Sequence, residues 1–264
     1  MHCLPLRHFA ALSISLALAL PALAAKPGEV LPPDALATAT PLTASGRQGW
    51  RPGRELHFGD YATRDLKSRG ETRTTDCPNG CSKTELGLYR SRIDEAFSTS
   101  THQLRYTLVG AAGEEADVQL TSQLDQQRRQ WMVRWFGLPK DFGVVIGRQI
   151  SVIGTVRPAG EGLVGWRFAL FDDERGALLQ GWAADDTGRR LTLTPLQRLA
   201  DRSGDGAITL NGVALGYAFE LDGKVVAAVA TLGAGTVWFS PDLSPEQRLP
   251  MAGLASALLL RKTY

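Results

Sequence analysis

From Arg54 to Phe239 the chain carries short runs in which apolar and polar positions alternate, each run closed by Gly, Asp, Asn or Pro. An alternation of period two places one face of a strand in a core and the other in solvent. It predicts strands over 55–61, 85–93, 103–109, 117–124, 130–136, 143–156, 164–171, 178–183, 190–194, 207–211, 213–221, 224–232 and 236–239. Leu196 to Ala200 reads as one helical turn. Asp222-Gly223 and Asn211-Gly212 are the residue pairs that two-residue hairpin turns require, so each is expected to join the strands on either side of it. The segment Asp172 to Gly176 predicts a third hairpin with a longer loop. Trp131, Val133 and Trp135 share one strand face and are expected in the core, as are Trp166, Phe168 and Leu170.

The pattern changes after Phe239. Ser244 with Gln247 three residues on matches a capping box, and Pro245 occupies the favoured first helical position. Met251 to Leu260 is apolar all round, and such a helix must be buried on every side. At 1.5 Å per residue its ten positions span about 15 Å, half the roughly 30 Å of a bilayer core. Pro250 lacks a donor, so a kink or restart is expected there. Arg261 and Lys262 suit the negative end of the helix dipole. The fold expected is mainly β, an antiparallel barrel or a large two-sheet sandwich with a buried apolar C-terminal helix. No βαβ unit or repeat is evident.

Residues 1–24 read as a signal peptide, with Arg7 and His8 before an apolar run and a small-residue cleavage site near Ala24. Export to the periplasm or the outside is the expectation. Residues 25–46, rich in Pro, Ala and Thr, read as a linker or an arm lying along the domain surface. Residues 47–264 are expected to form a single β-rich domain. The whole chain has 29 basic and 27 acidic residues, and loss of Arg7 leaves 28 against 27, which is no electrostatic footprint for nucleic acid. Cys77 and Cys81 flank Pro78-Asn79-Gly80, and so close a pair in an exported chain predicts a disulfide stapling a tight turn.

Candidate chemistry is sparse. His57 and His102 are the histidines beyond the leader, and no G-x-S-x-G is present, so no catalytic residue is assigned. Asp201, Ser203 and Asp205 with Gly206 match the first part of a calcium loop, but position 12 is Gly212 instead of a glutamate. A solvated turn is the plainer reading, and a weak calcium site the sharper one. No cofactor is implied. Paired carboxylates for glycan hydrolysis are spatial and leave no local signature.

The segments G-W-R-F-A-L-F-D-D-E-R-G-A-L-L-Q-G-W, G-Y-A-F-E-L-D-G-K-V-V-A-A-V-A, G-T-V-W-F-S and P-D-L-S-P-E-Q-R, followed by M-A-G-L-A-S-A-L-L-L, resemble the tubby C-terminal-like superfamily, which includes the scramblases and the LURP-one-related proteins. The resemblance covers roughly the last eighty residues, and the first of these segments, beginning earlier at Gly165, fits the same style of hairpin. It implies a closed antiparallel barrel of about a dozen strands threaded by the terminal helix. The family's phosphoinositide-binding basic residues have no counterpart at positions that can be named here. The functions expected are an exported, non-catalytic protein binding a small ligand, a lipid or an envelope partner; alternatively an envelope hydrolase using a carboxylate pair, or an assembly factor engaging a partner through the arm.

Overall fold

The computed structural model describes residues 26, 28–47, 55–77, 82–86, 89–135, 138–160, 162–172, 179–203 and 206–261. The chain is mainly β. Two short strands, β1 (Leu42–Thr43) and β2 (His57–Phe58), precede the long β3 (Tyr61–Asp76), the short β4 (Ser82–Leu86), and the long β5 (Tyr89–Val109), β6 (Glu115–Trp135) and β7 (Leu138–Pro158). Then come β8 (Trp166–Asp172), β9 (Leu179–Asp185), β10 (Arg190–Leu196), β11 (Arg198–Ala200), β12 (Ala207–Thr209), β13 (Gly216–Leu221), β14 (Lys224–Ala230) and β15 (Thr236–Phe239). One helix, α1 (Pro245–Leu260), ends the described chain.

The main sheet runs β1-β15-β14-β13-β10-β9-β8-β7-β6-β5-β3-β2, antiparallel throughout. Its two ends meet where Ser45, just after β1, exchanges hydrogen bonds of 2.8 and 3.0 Å with His57. Closure leaves no barrel edge unpaired at that seam. The inward positions carry the core: Leu104, Tyr106 and Leu108 on β5, Val118 and Leu120 on β6, Trp166, Phe168 and Leu170 on β8, and Tyr217 and Phe219 on β13.

Helix α1 fills the lumen. The Ser244 hydroxyl accepts from the Gln247 N–H at 3.3 Å while the Ser244 N–H donates to Gln247 Oε1 at 3.2 Å, which completes the predicted capping box. The helix runs on through Pro250 without a restart, contrary to expectation. The packing of Leu249 to Leu259, all buried, outweighs the donor that proline lacks. A Cβ at Gly253 would overlap Val156, so the helix backbone lies directly on the wall. Tyr106 Oη and Ser256 Oγ share a 2.7 Å hydrogen bond, and Ser256 donates to Gly253 O at 2.8 Å, so both hydroxyls are satisfied. At the far end Arg47 Nε donates to Leu259 O at 2.7 Å, Arg261 Nη1 donates to Tyr217 Oη at 3.2 Å, and both cations sit at the negative helix terminus. Burial, and then Arg261, lower the Arg47 pKa.

Several boundaries differ from the sequence reading. The predicted strand 55–61 breaks at Gly59-Asp60, where the chain turns from β2 into β3. Four predicted strands, 103–109, 117–124, 130–136 and 143–156, are pieces of three strands of 21 residues each. The predicted helical turn at Leu196 to Ala200 is instead the end of β10 and then β11, which pairs β12. Asn211-Gly212 is a turn, but it joins no hairpin: β12 pairs β11, whereas β13 pairs β10 and β14. Asp222-Gly223 does join β13 to β14, with φ of 50° and 75°. The β8–β9 hairpin forms as read, its tip outside the described residues. Trp166, Phe168 and Leu170 are buried. Trp131, Val133 and Trp135 lie on β6 beyond the barrel, and their side chains fall outside the description.

The arm is built into the barrel. Leu31 N donates to Arg198 O at 2.9 Å and Ala200 N to Glu29 O at 2.8 Å, adding a third strand-like run to the β11–β12 ribbon. Val30 and Leu36 then bury themselves with Leu215, Ala218, Ala228, Ala230 and Trp238 on the outside of β13–β15 before β1 enters the sheet. Residues 28–46 of the arm thus both clad and close the domain expected to begin at Arg47.

Candidate binding face

The opposite outer wall, on β3 and β5–β8, is bare among the described residues. Register places Lys67 opposite Arg105, Arg105 opposite Gln119, Gln119 opposite Thr155, and Thr155 opposite Arg167. These side chains form one lateral row across five strands. The next row is Arg69, Gln103, Thr121, Ile153 and Ala169, with Trp182 beyond it on β9. The two rows line a surface groove of about 610 Å³, which continues along the strands into a second of about 370 Å³ walled by Glu71, Arg73, Thr99 and Thr101.

A bulge sets the first row. Arg64 pairs with Thr107 but Lys67 pairs with Arg105, so Asp65 and Leu66 face Tyr106 alone. Asp65 takes φ +54°, unfavourable for a residue with a Cβ. The extra residue turns Leu66 toward the core and aims Lys67 outward across from Arg105. Two cations directly opposite on adjacent strands destabilise a sheet. Backbone strain and like-charge apposition thus coincide at this point of the wall.

Carboxylates stand at the margins of this face. Asp117 Oδ2 accepts from Arg105 Nη2 at 3.1 Å and from Gln119 at 3.2 Å, and Asp186 accepts from Arg167 at 3.4 Å. Glu71 accepts from Arg73 Nε at 2.7 Å, and this hydrogen bond and charge lower the Glu71 pKa while raising that of Arg73. Thr155 Oγ1 lies inaccessible in the floor of the groove without a protein hydrogen-bond partner. Beside the cations, Ile153, Phe171 and Trp182 are exposed by 52%, 45% and 42%, a contiguous apolar strip on the same wall. The guanidinium of Arg190 stands 6.0 Å from the Trp182 ring centre.

The residues singled out in the sequence lie elsewhere. Cys77 follows β3 with φ +47°, its N–H donating to Glu95 O at 2.6 Å, and Cys81 lies outside the described residues. Asp201 Oδ1 accepts from the Ser203 N–H at 2.9 Å and its hydroxyl at 2.6 Å, the geometry of a self-bonded turn. Asp205 is outside the described residues, and no group of three His, Cys, Asp or Glu side chains that could hold a metal occurs among those described. His57 Nε2 stands 3.5 Å from Glu55 at the barrel seam, and His102 Nε2 lies 2.9 Å from Ser68 Oγ on the wall face opposite the cation rows. That serine sits in mid-strand, not on the sharp turn that exposes a nucleophile.

Sequence reasoning missed the face because each of its rows takes one residue from each of five strands, up to a hundred positions apart. The one local signal is the alternation Lys67, Arg69, Glu71, Arg73, charged on every second position of a strand. No family model, curated protein or solved structure matches this chain.

Proposed function

We propose that the protein is an exported, non-catalytic binding protein whose ligand lies on the bare outer wall, not inside the barrel. The observation that carries this is the contrast between a lumen filled by α1 and an uncovered groove lined by Lys67, Arg69, Arg105 and Arg167. A barrel binds inside only when its lumen is left open. Among the described carboxyls whose pKa departs from the ordinary value, Glu71 and Asp185, both move down. A glycan hydrolase of the two-carboxylate type needs one carboxyl pushed up to act as the acid. The arm, buried on its own barrel, is a poor hook for a separate partner.

Export rests on the leader pattern of residues 1–24. It goes with a Cys77–Cys81 disulfide stapling the turn between β3 and β4, where peptide mapping without reductant should find the two joined. Free thiols at both positions in protein from an oxidising compartment would refute the bridge.

The test of the binding face is a panel of dextran, polygalacturonate, and zwitterionic and anionic phospholipid vesicles, offered to the wild type and to Thr121→Trp. Thr121 stands mid-row, so an indole there occludes the groove with no core change. At least one panel member should be bound by the wild type and lost in the variant at unchanged Tm. Cleavage of a glycan, or full binding by Thr121→Trp, would overturn the reading.

A further inference from the structure

We infer that the ligand of this wall is a carboxylate-bearing polysaccharide, an inference that rests on the outer-wall reading above. The width of the cation row argues first. Neighbouring strands lie about 4.8 Å apart, so Lys67 and Arg105 are one step apart and Arg167 stands about 14 Å beyond Arg105. A small anion reaches one end of such a row only, Arg105 and Arg167 being held meanwhile by Asp117 and Asp186. A chain with spaced single charges reaches both.

The groups between the cations argue next. Gln119 and Thr155 separate Arg105 from Arg167, neither carries a charge, and the Gln119 amide offers a donor and an acceptor to the groove. That alternation of guanidinium and neutral hydrogen-bonding groups is complementary to carboxylates spaced by hydroxyls, and a planar guanidinium takes a carboxylate in bidentate fashion. Both grooves lie on one face of β3 and β5, so an extended chain can run from one into the other. The exposed strip of Ile153, Phe171 and Trp182 adds an apolar surface for sugar faces beside the charged row.

Nucleic acid fits less well. It carries a phosphate about every 3.4 Å on each strand, and its single strands bind by stacking bases on aromatic rings. Four cations are spread over the wider groove, fewer than that phosphate spacing would engage, and the aromatic rings of the wall, Phe171 and Trp182, stand beside the grooves and not in their lining.

The experiment measures affinity of the full chain, expressed with its leader, for polygalacturonate, dextran, duplex DNA and anionic vesicles at two salt concentrations. The wild type should bind polygalacturonate, more weakly at high salt, and bind dextran, DNA and vesicles at least tenfold more weakly. Lys67→Glu with Arg69→Glu should lower polygalacturonate affinity by about tenfold or more at unchanged Tm. Thr121→Trp should do the same. Should dextran or vesicles bind instead, and Thr121→Trp abolish that binding, the polysaccharide inference falls and the outer wall stands. DNA binding as tight as polygalacturonate overturns the inference as general attraction to polyanions. If polygalacturonate binds and all the variants bind it equally, the wall itself is the wrong site. A wild type that binds nothing on the panel sinks both.

Discussion

Two outer walls of one barrel are finished in opposite ways. On β13–β15 the outward positions are Ala218, Ala228, Ala230 and Trp238, and the chain's own arm and the β11–β12 ribbon cover them. On β3 and β5–β8 the outward positions include Lys67, Arg69, Arg105, Gln119, Thr155 and Arg167, and nothing among the described residues covers them. The inward positions behind both walls are alike, large and apolar against α1. The core therefore decides neither finish. Small outward side chains permit close approach by a covering segment, and their burial stabilises the fold. Long cations and amides keep a wall in water, and their arrangement is free to answer to a ligand. The comparison is a claim about energetics: changes on the clad wall should register in stability, and changes on the bare wall in binding alone.

The largest effect should come from the plug behind both walls. Truncation after Pro250 removes Met251 to Leu259, all buried in the lumen. Each large side chain lost forfeits about 2 to 5 kcal/mol, against a total stability of about 5 to 15 kcal/mol. The truncated chain should show no cooperative thermal transition, and a soluble, folded product with both walls intact would break the description of α1 as a core element.

Next comes the cladding. Trp238 is 5% exposed although it points away from the lumen, because Val30 and Leu36 lie over it. Trp238→Ala should destabilise by about 3 to 5 kcal/mol, as a buried tryptophan does, read as a lowered urea midpoint. A cost below about 0.5 kcal/mol would mean that the arm does not hold to the barrel in solution, and the two walls would then be equivalent.

Between the walls, at the β9–β10 turn, Asp185 ties the sheet together. Its side chain is buried; Oδ1 accepts from Thr187 N, Thr187 Oγ1 and Arg189 N at 3.0, 2.7 and 2.9 Å, and Oδ2 from Arg189 Nε at 2.6 Å. Burial alone would raise its pKa, but the bonds from Thr187 and Arg189 outweigh burial and hold it below the ordinary value. A carboxyl depressed on folding contributes stability that is present above its unfolded pKa of about 3.9 and is lost as pH falls through the lower folded value. Asp185→Asn should therefore cost about 1.5 to 3 kcal/mol at neutral pH, with the gap to wild type closing in acid. Melting curves between pH 2 and 7 measure it, and a gap that does not change with pH would remove the charge from the account.

How much of this was legible in the chain depends on whether a segment has one dry face. Ser244-Pro245 and Gln247 marked the helix start because capping is local, and Asp222-Gly223 marked its hairpin because φ above zero is demanded there. β15 was legible to the residue, three of its four positions being buried. β3 was not, because from Arg64 to Asp76 its positions are exposed apart from the half-buried Leu66, leaving no alternation to read. Past the barrel the lumen-facing row of β3 and β5 turns into Ser68, Thr72, Ser100 and His102, which bond one another in water. The ribbon of β11 and β12 was misread because pairing across a six-residue loop overrode the local pattern at Leu196 to Ala200. The bare wall had no chance of being read: its order comes from register, and the bulge at Asp65 that sets that register has no mark in composition.

The smallest effect on stability belongs to the bare wall, and it separates the two walls most sharply. Lys67 and Arg105 oppose each other directly, and Arg69 follows two residues on. If this wall served the fold, reversing Lys67 and Arg69 to glutamate would weaken it. If it serves a ligand, Lys67→Glu replaces a like-charge pair by an opposite one, contributing a few tenths of a kcal/mol, while Arg69→Glu faces the neutral Gln103 across the strands and gives back a similar amount against the exposed Glu71 two residues on. The double variant should match wild-type stability within about 0.5 kcal/mol or exceed it slightly, as judged by its urea midpoint at low salt. The gain should vanish at 1 M salt, where the screening length is about 3 Å. A loss of more than about 1 kcal/mol would mean that the strained bulge and paired cations hold the sheet together, and the bare wall would then be structural like its counterpart.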